Sequence, residues 1–233
     1  MLSPSIDDNI ELPFAAEILF QNDKKLVFNH WNWDYSEYLE FNQRATAYIA
    51  ARPEFRIEIF CNHPHLLTMG RGNQRGVDTL PSGSQHLSLP LHHIYRGGGL
   101  TFHGPFQWIH YSLTRLNSSN NNLSQHLHFL LEHTCDVIEL SGIKRPTALR
   151  SPLGLWQEGR KIASLGVGIR QWVTNHGIAL NLGDDMIFAE LNKVNPCGLS
   201  GEVYSSLEKI HGIRPTLQDF SQLALVALQA YSD

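Results

Sequence analysis

The sequence predicts an α+β domain built on a mixed β-sheet. Three observations carry this reading: strand-like segments crowd the middle of the chain, helix-period segments fall between them and at the C-terminal end, and no regular βαβ alternation links them. At 233 residues the chain can bury roughly 70–75% of its surface, so residues 1–233 are read as one domain. A content of 42% hydrophobic and 10% aromatic residues excludes a disordered chain.

In chain order, strands are expected at 24–28, 55–60, 91–95 and 106–113, where apolar residues alternate or run together. Helix 36–50 is expected to start at Ser36, with Tyr38, Phe41, Ala45, Tyr48 and Ile49 at helical spacing. The polar run Asn117–Asn122 reads as a surface loop. It leads into a helix over 124–141 that starts at Ser124, places Leu127, Leu130, Leu131 and Ile138 on one face, and stops at Gly142. Strands at 153–157 and 160–169 flank Gln157-Glu158-Gly159-Arg160, a tight-turn sequence, so 153–169 reads as a β-hairpin. A further strand follows at 173–182. Pro215-Thr216, with Asp219 three positions on, resembles a capping box opening a last helix over 216–230.

Charge and cysteine usage narrow the class. A net charge of −4 argues against a dedicated nucleic-acid binder, and no apolar stretch approaches the roughly 20 residues of a bilayer span. The first 23 residues carry five carboxylates and no Lys or Arg, which predicts no signal peptide and a cytoplasmic protein. Residues 144–170 sum to +5 against −9 for the rest, a candidate patch for steering an acidic partner. Cys61, Cys135 and Cys197 are odd in number and far apart, so no disulfide framework is expected.

Two stretches carry chemistry. Arg96-Gly97-Gly98-Gly99-Leu100-Thr101-Phe102-His103 lets backbone N–H groups approach a ligand closely, with a cation at one end and an imidazole at the other. Pro196-Cys197-Gly198 shapes a turn that can present a thiol, whereas Cys61 and Cys135 read as inert buried side chains. A thiol needs a cationic neighbour to become a good nucleophile. Lys161, on a strand of mostly apolar and small residues, is the candidate, with His103 and His176 next in line as bases. The pairs His63/His65, His92/His93 and His126/His128 lack the spacing of a metal site, and no metal or cofactor is expected.

Together these stretches resemble the octanoyltransferase family of lipoate biosynthesis. The likeness runs in order through His63-Pro64 to Thr68-Met69-Gly70-Arg71, Arg96 to Pro105, Gly154-Leu155-Trp156, Lys161 to Gly166, His176 to Asn181, and Pro196-Cys197-Gly198 with Ser206-Leu207. It implies a mixed sheet plus a smaller second sheet with flanking helices, as in lipoate- and biotin-protein ligases. It also implies octanoyl transfer from an acyl carrier protein to a lysine of lipoyl domains, in 2-oxoacid dehydrogenase complexes and the glycine-cleavage H protein. Cys197 would be the thioester nucleophile and Lys161 its partner. Arg96, Gly97, Gly98, Gly99, Leu100, Thr101, Phe102, His103, Ser164, Leu165, Gly166, Gly177, Ile178 and Ala179 would line the acyl site. Two positions depart from the family pattern: Phe106 follows His103-Gly104-Pro105 where a glycine is usual, and Leu153 stands as an extra residue before Gly154. An ATP-dependent lipoate or biotin ligase and an amidotransferase working between lipoyl domains are the alternative readings.

Overall fold

A computed structural model describes residues 10–72, 89–117, 121–150, 153–183 and 203–231. The main sheet has eight strands: β1 (Glu17–Gln21), β2 (Lys25–His30), β3 (Arg56–Cys61), β7 (Gln107–Leu113), β8 (Thr147–Arg150), β9 (Leu153–Gln157), β10 (Arg160–Arg170) and β11 (Val173–Asn181). Their spatial order is β1-β2-β3-β7-β11-β10-β9-β8. Only β2 and β3 run parallel, joined by the crossover helix α1 (Tyr35–Ala51); every other pair is antiparallel, which makes the sheet mixed. A second sheet holds β4 (Leu66–Met69) between β5 (Leu91–His93) and β6 (Leu100–His103).

The helices begin where local chemistry satisfies their free N–H groups. Asp34, rather than the expected Ser36, caps α1 by accepting from the Ser36 and Glu37 amides. Helix α2 (Leu123–Leu140) opens one residue before the expected Ser124, because Asn122 and Gln125 form a reciprocal capping box. Thr216 caps α4 (Leu217–Ala227) by accepting from the Asp219 amide; a 3₁₀ turn over Leu228–Tyr231 continues it. Between them lies the short α3 (Leu207–His211), capped by Ser206. Strands β1, β4, β6 and β8 and helix α3 were not expected from the sequence. All are five residues or shorter, too brief to display a period.

Two cores clothe the main sheet. Helices α2 and α4 cover one face through Leu130, Val137, Ile138, Phe220 and Ala224, which pack on Phe60, Trp108, Ile162, Ala163, Ile178 and Leu180. Helix α1 covers the other through Tyr38, Phe41, Ala45 and Ile49, on Phe28, Ile57, Ile59, Ile109 and Tyr111. On the first face the Glu58 carboxylate accepts from His110 Nε2 at 2.7 Å, both side chains buried. No helix among the described residues is long and apolar enough to cross a membrane.

The basic segment is altered by its surroundings. Arg145 donates to Glu132 (2.7 Å), Asp136 (2.5 Å) and Glu139 (3.0 Å) of α2, and Lys161 is buried. The exposed cations of 144–170 are therefore Lys144, Arg150, Arg160 and Arg170, with Glu158 among them. The expected patch is weaker than its sequence charge, because three carboxylates one helical turn apart converge on Arg145.

Candidate active site

The site forms where β6, β10, β11 and the start of α1 meet. Gly70, Arg71 and Gly72 donate their amides to the carbonyls of Gly99, Arg96 and Gly98, laying the end of β4 flat against the Gly-rich run. A Cβ on Gly72 would stand 2.8 Å from the Gly98 carbonyl, so this backbone-to-backbone approach requires glycine. Gly98 itself has φ of +75°.

Arg96 is buried within this junction. Its Nη1 donates to the Gly97 carbonyl (2.9 Å), and its Nη2 reaches the Thr68 carbonyl (3.1 Å), Thr68 Oγ1 (2.8 Å) and Thr101 Oγ1 (2.8 Å). A Cβ at Gly70 would lie 2.9 Å from Nη1, and one at Gly166 would lie 3.1 Å from the Arg96 Cδ. Both glycines thus make room for the guanidinium, which stitches the Gly-rich run to β4 and β6.

Arg96, Thr101, His103, Ser164, Gly166, Gly177, Ile178 and Ala179 line one small cavity, of about 20 Å³. Tyr35, Tyr111 and His176 complete its wall among the described residues. The other expected lining residues turn elsewhere. Alternation along β6 sends Leu100 and Phe102 into the core of the small sheet, and alternation along β10 sends Leu165 into the core under α2. Gly97, Gly98 and Gly99 act through backbone pairing rather than as cavity wall, with the Gly97 amide donating to the Val167 carbonyl at 2.9 Å. Nothing in the sequence marks Tyr35 and Tyr111 as site residues. Their only sequence signal is an aromatic beside the Asp34 cap and an aromatic inside an apolar strand, neither distinguishable from core.

The imidazoles here are neutral at pH 7. Gln107 donates its amide to the Phe102 carbonyl and Asn181 Oδ1, so its oxygen accepts from His103 Nδ1 at 2.7 Å. That leaves His103 Nε2 as an acceptor, 3.3 Å from the Thr68 hydroxyl. Burial pushes His103 well below its usual range, and the nearby His63 adds to this. Burial, then Arg96 and His63, push His176 down to about 3. His176 is held at a φ of +62°, with its Nδ1 3.4 Å from the Tyr38 hydroxyl. A base that weak takes few protons near neutrality.

Lys161 is 3% exposed, an unusual burial for a lysine. Strict alternation back from Ser164 would place it in the core under α2. A register shift between Lys161 and Ala163 inserts a bulge, so that Ile162 and Ala163 both enter that core and Lys161 emerges on the face of Ser164 and Gly166. Its side chain runs over Gly154, where a Cβ would be 2.8 Å from Lys161 Cε. Tyr204 forms a bridge with Lys161, the Ser205 amide donates to the Lys161 carbonyl at 2.9 Å, and Asn181 Nδ2 donates to the Ser205 carbonyl at 3.0 Å.

Cys197 lies outside the described residues. Cys61 and Cys135 are buried free thiols: burial pushes Cys61 well up and Cys135 up to about 12, so neither is a nucleophile at neutral pH. Phe106 is exposed, with the Arg214 guanidinium 4.6 Å over its ring, and it does not line the cavity.

Residues 34–229 match the profile of the lipoyl protein ligase A/B catalytic domain. The chain belongs to that family. It is an acyltransferase. An octanoyltransferase of Geobacter sulfurreducens is 34% identical over 179 residues, covering 77% of this chain and 72% of the relative. An octanoyltransferase of Bdellovibrio bacteriovorus is 30% identical over 215 residues, covering 84% and 94%. Among solved structures, lipoate-protein ligase A bound with ATP superposes with a TM-score of 0.65 at 12% identity, over 90% of this chain and 85% of that one. The lipoyl protein ligase A/B fold, a mixed main sheet with a smaller second sheet, is therefore the fold of this chain.

Proposed function

We propose that this family member, acting as one catalytic domain over 1–233, transfers an octanoyl group from an acyl carrier protein to a lysine of lipoyl domains, by way of a thioester on Cys197. The observation that carries this is the placement of Lys161: buried, on the same face of β10 as Ser164 and Gly166, with the chain at Tyr204–Ser205 fastened to its backbone. Cys197 is seven residues before Tyr204, a distance that extended chain spans in at most roughly 25 Å. The relatives named octanoyltransferases support the same reading.

In the first half-reaction the Cys197 thiolate attacks the donor's carbonyl carbon. A new C–S bond forms, the donor C–S bond breaks, and the carrier leaves as a thiol with a proton from the Lys161 ammonium, which leaves Lys161 a neutral amine. In the second, the amine of the lipoyl-domain lysine attacks the acyl-enzyme, loses a proton, and expels Cys197 as thiolate. An unperturbed lysine amine is neutral in only about 1 molecule in 2,500 at pH 7, so a nearby proton acceptor is required. We assign that role to the neutral Lys161 amine left by the first half-reaction, and the proton it takes restores the ammonium beside the departing Cys197 thiolate. Arg96, Thr101, His103, Ser164, Gly166, Gly177, Ile178 and Ala179 shape the acyl end of the site. Acceptors are lipoyl domains of 2-oxoacid dehydrogenase complexes and the glycine-cleavage H protein.

Intact mass spectrometry tests this. Incubation with octanoyl-acyl carrier protein alone should add about 126 Da to the wild type and nothing to Cys197→Ala. Addition of a lipoyl domain should then move the adduct without ATP. An adduct on Cys61 or Cys135, or transfer that needs ATP, overturns the reading. The fold shared with an ATP-bound ligase is the observation behind the second reading, ATP-dependent ligation.

A further inference from the structure

Lys161 has an aromatic neighbour that the transfer reaction does not itself demand. Its Nζ lies 5.6 Å from the centre of the Tyr204 ring, within the roughly 6 Å over which a ring face attracts a cation. Both residues are buried, at 3% and 6% exposure, so water screens the attraction little. Tyr204 is held on three sides. Its backbone bridges Lys161, its successor Ser205 is bonded to both Lys161 and Asn181, and its side chain packs with Leu67, Met69, Leu100 and Phe102 of the small sheet. The ring therefore cannot retreat from the ammonium without moving the small sheet.

From this geometry we infer that Tyr204 is a positioning residue. Its ring holds Lys161 in the ammonium form over Gly154, with the Tyr204–Ser205 backbone fastened to the Lys161 backbone. A ring face favours the charged over the neutral amine, so the Tyr204 ring adds to the stabilisation of the ammonium. The charge so kept lowers the cost of a thiolate nearby, while the amine remains able to release and regain a proton during transfer. This rests on the roles proposed above for Lys161 and Cys197.

The test is the pH dependence of iodoacetamide alkylation at Cys197, read by peptide mass, in wild type, Lys161→Met, Tyr204→Phe and Tyr204→Leu. Tyr204→Phe keeps the ring and should leave the alkylation midpoint in place. Tyr204→Leu keeps apolar packing but removes the ring, and should raise the midpoint by about 0.5–1 pH unit, with Lys161→Met raising it further. Thermal melts of each variant separate this from a loss of fold, which would not spare Tyr204→Phe while shifting a midpoint in Tyr204→Leu. If Lys161→Met moves the midpoint and Tyr204→Leu does not, the role of Tyr204 is overturned while the Lys161–Cys197 pairing stands. If Lys161→Met moves nothing, the pairing itself fails.

Discussion

Lys161 occupies the space that a side chain on Gly154 would fill: a Cβ there would sit 2.8 Å from Lys161 Cε and 2.2 Å from the Ala163 carbonyl oxygen. Gly154 also has a φ of +145°, a backbone conformation that L side chains rarely adopt. The two residues belong to adjacent strands, and the absence of one side chain is what lets the other lie flat along the sheet.

Gly154→Ala should therefore lose activity out of proportion to its size. Backbone strain should cost about 1–3 kcal/mol of stability. At a temperature where the variant is still fully folded, kcat for octanoyl transfer should fall at least tenfold because Lys161 is displaced. A variant with lowered Tm and wild-type kcat would show that Gly154 serves the strand pairing only.

Acid should unfold the protein well before its carboxylates titrate. Burial pushes His63 and His126 down to about 4, and His133 and His176 down to about 3, with His103 also well below its usual value. Each binds fewer protons folded than unfolded, so its stabilising contribution is complete above the unfolded pKa of about 6.5 and is lost as pH falls towards the folded value. Every such histidine adds a slope of about 1.4 kcal/mol per pH unit in that window. Glu58, held below the usual carboxylate range by His110 against the opposing effect of burial, acts in the same direction at lower pH. Urea midpoints measured from pH 7.5 to 4.5 should drop steeply below 6.5, and His126→Leu should flatten the drop. A midpoint constant across that range would contradict the buried neutral state of these rings.

Arg145 should prove structural rather than a docking residue. Arg145→Glu would set a fourth carboxylate against Glu132, Asp136 and Glu139, and would disturb Asp136, which also accepts from the Tyr231 hydroxyl. About a third of each of the nearer side chains is exposed, so after solvent screening the loss should be about 1–2 kcal/mol. It should appear in Tm and leave the salt dependence of the donor KM unchanged. Arg150→Glu, on the exposed edge strand β8, should show the reverse pattern. Equal effects of both variants on the donor KM would restore Arg145 to a steering role.

What the sequence determined by itself is local. Helical spacing located α1, α2 and α4 to within one to three residues, because one-sided burial repeats with every turn; of the expected starts only Thr216 is itself the cap, Asp34 and Asn122 taking that place for Ser36 and Ser124. The ordered motifs pointed to the family, and Gln157–Arg160 marked its hairpin, with Glu158 and Gly159 at positive φ. Tertiary structure decided which side of the sheet each chemical group serves. Alternation predicts the wrong face for Lys161, since a single extra residue in a bulge reverses every side chain before it and leaves no compositional trace. Arg96 looks in sequence like a ligand-facing cation. Only the approach of Thr68, Thr101, Gly70 and Gly166, from strands far apart in the chain, turns its guanidinium into the tie that holds the Gly-rich run. Arg145 lost its free charge in the same way, to carboxylates spaced along a helix. A buried polar side chain takes its character from the partners that desolvation forces on it, and those partners are chosen by packing between distant segments rather than by neighbours in sequence.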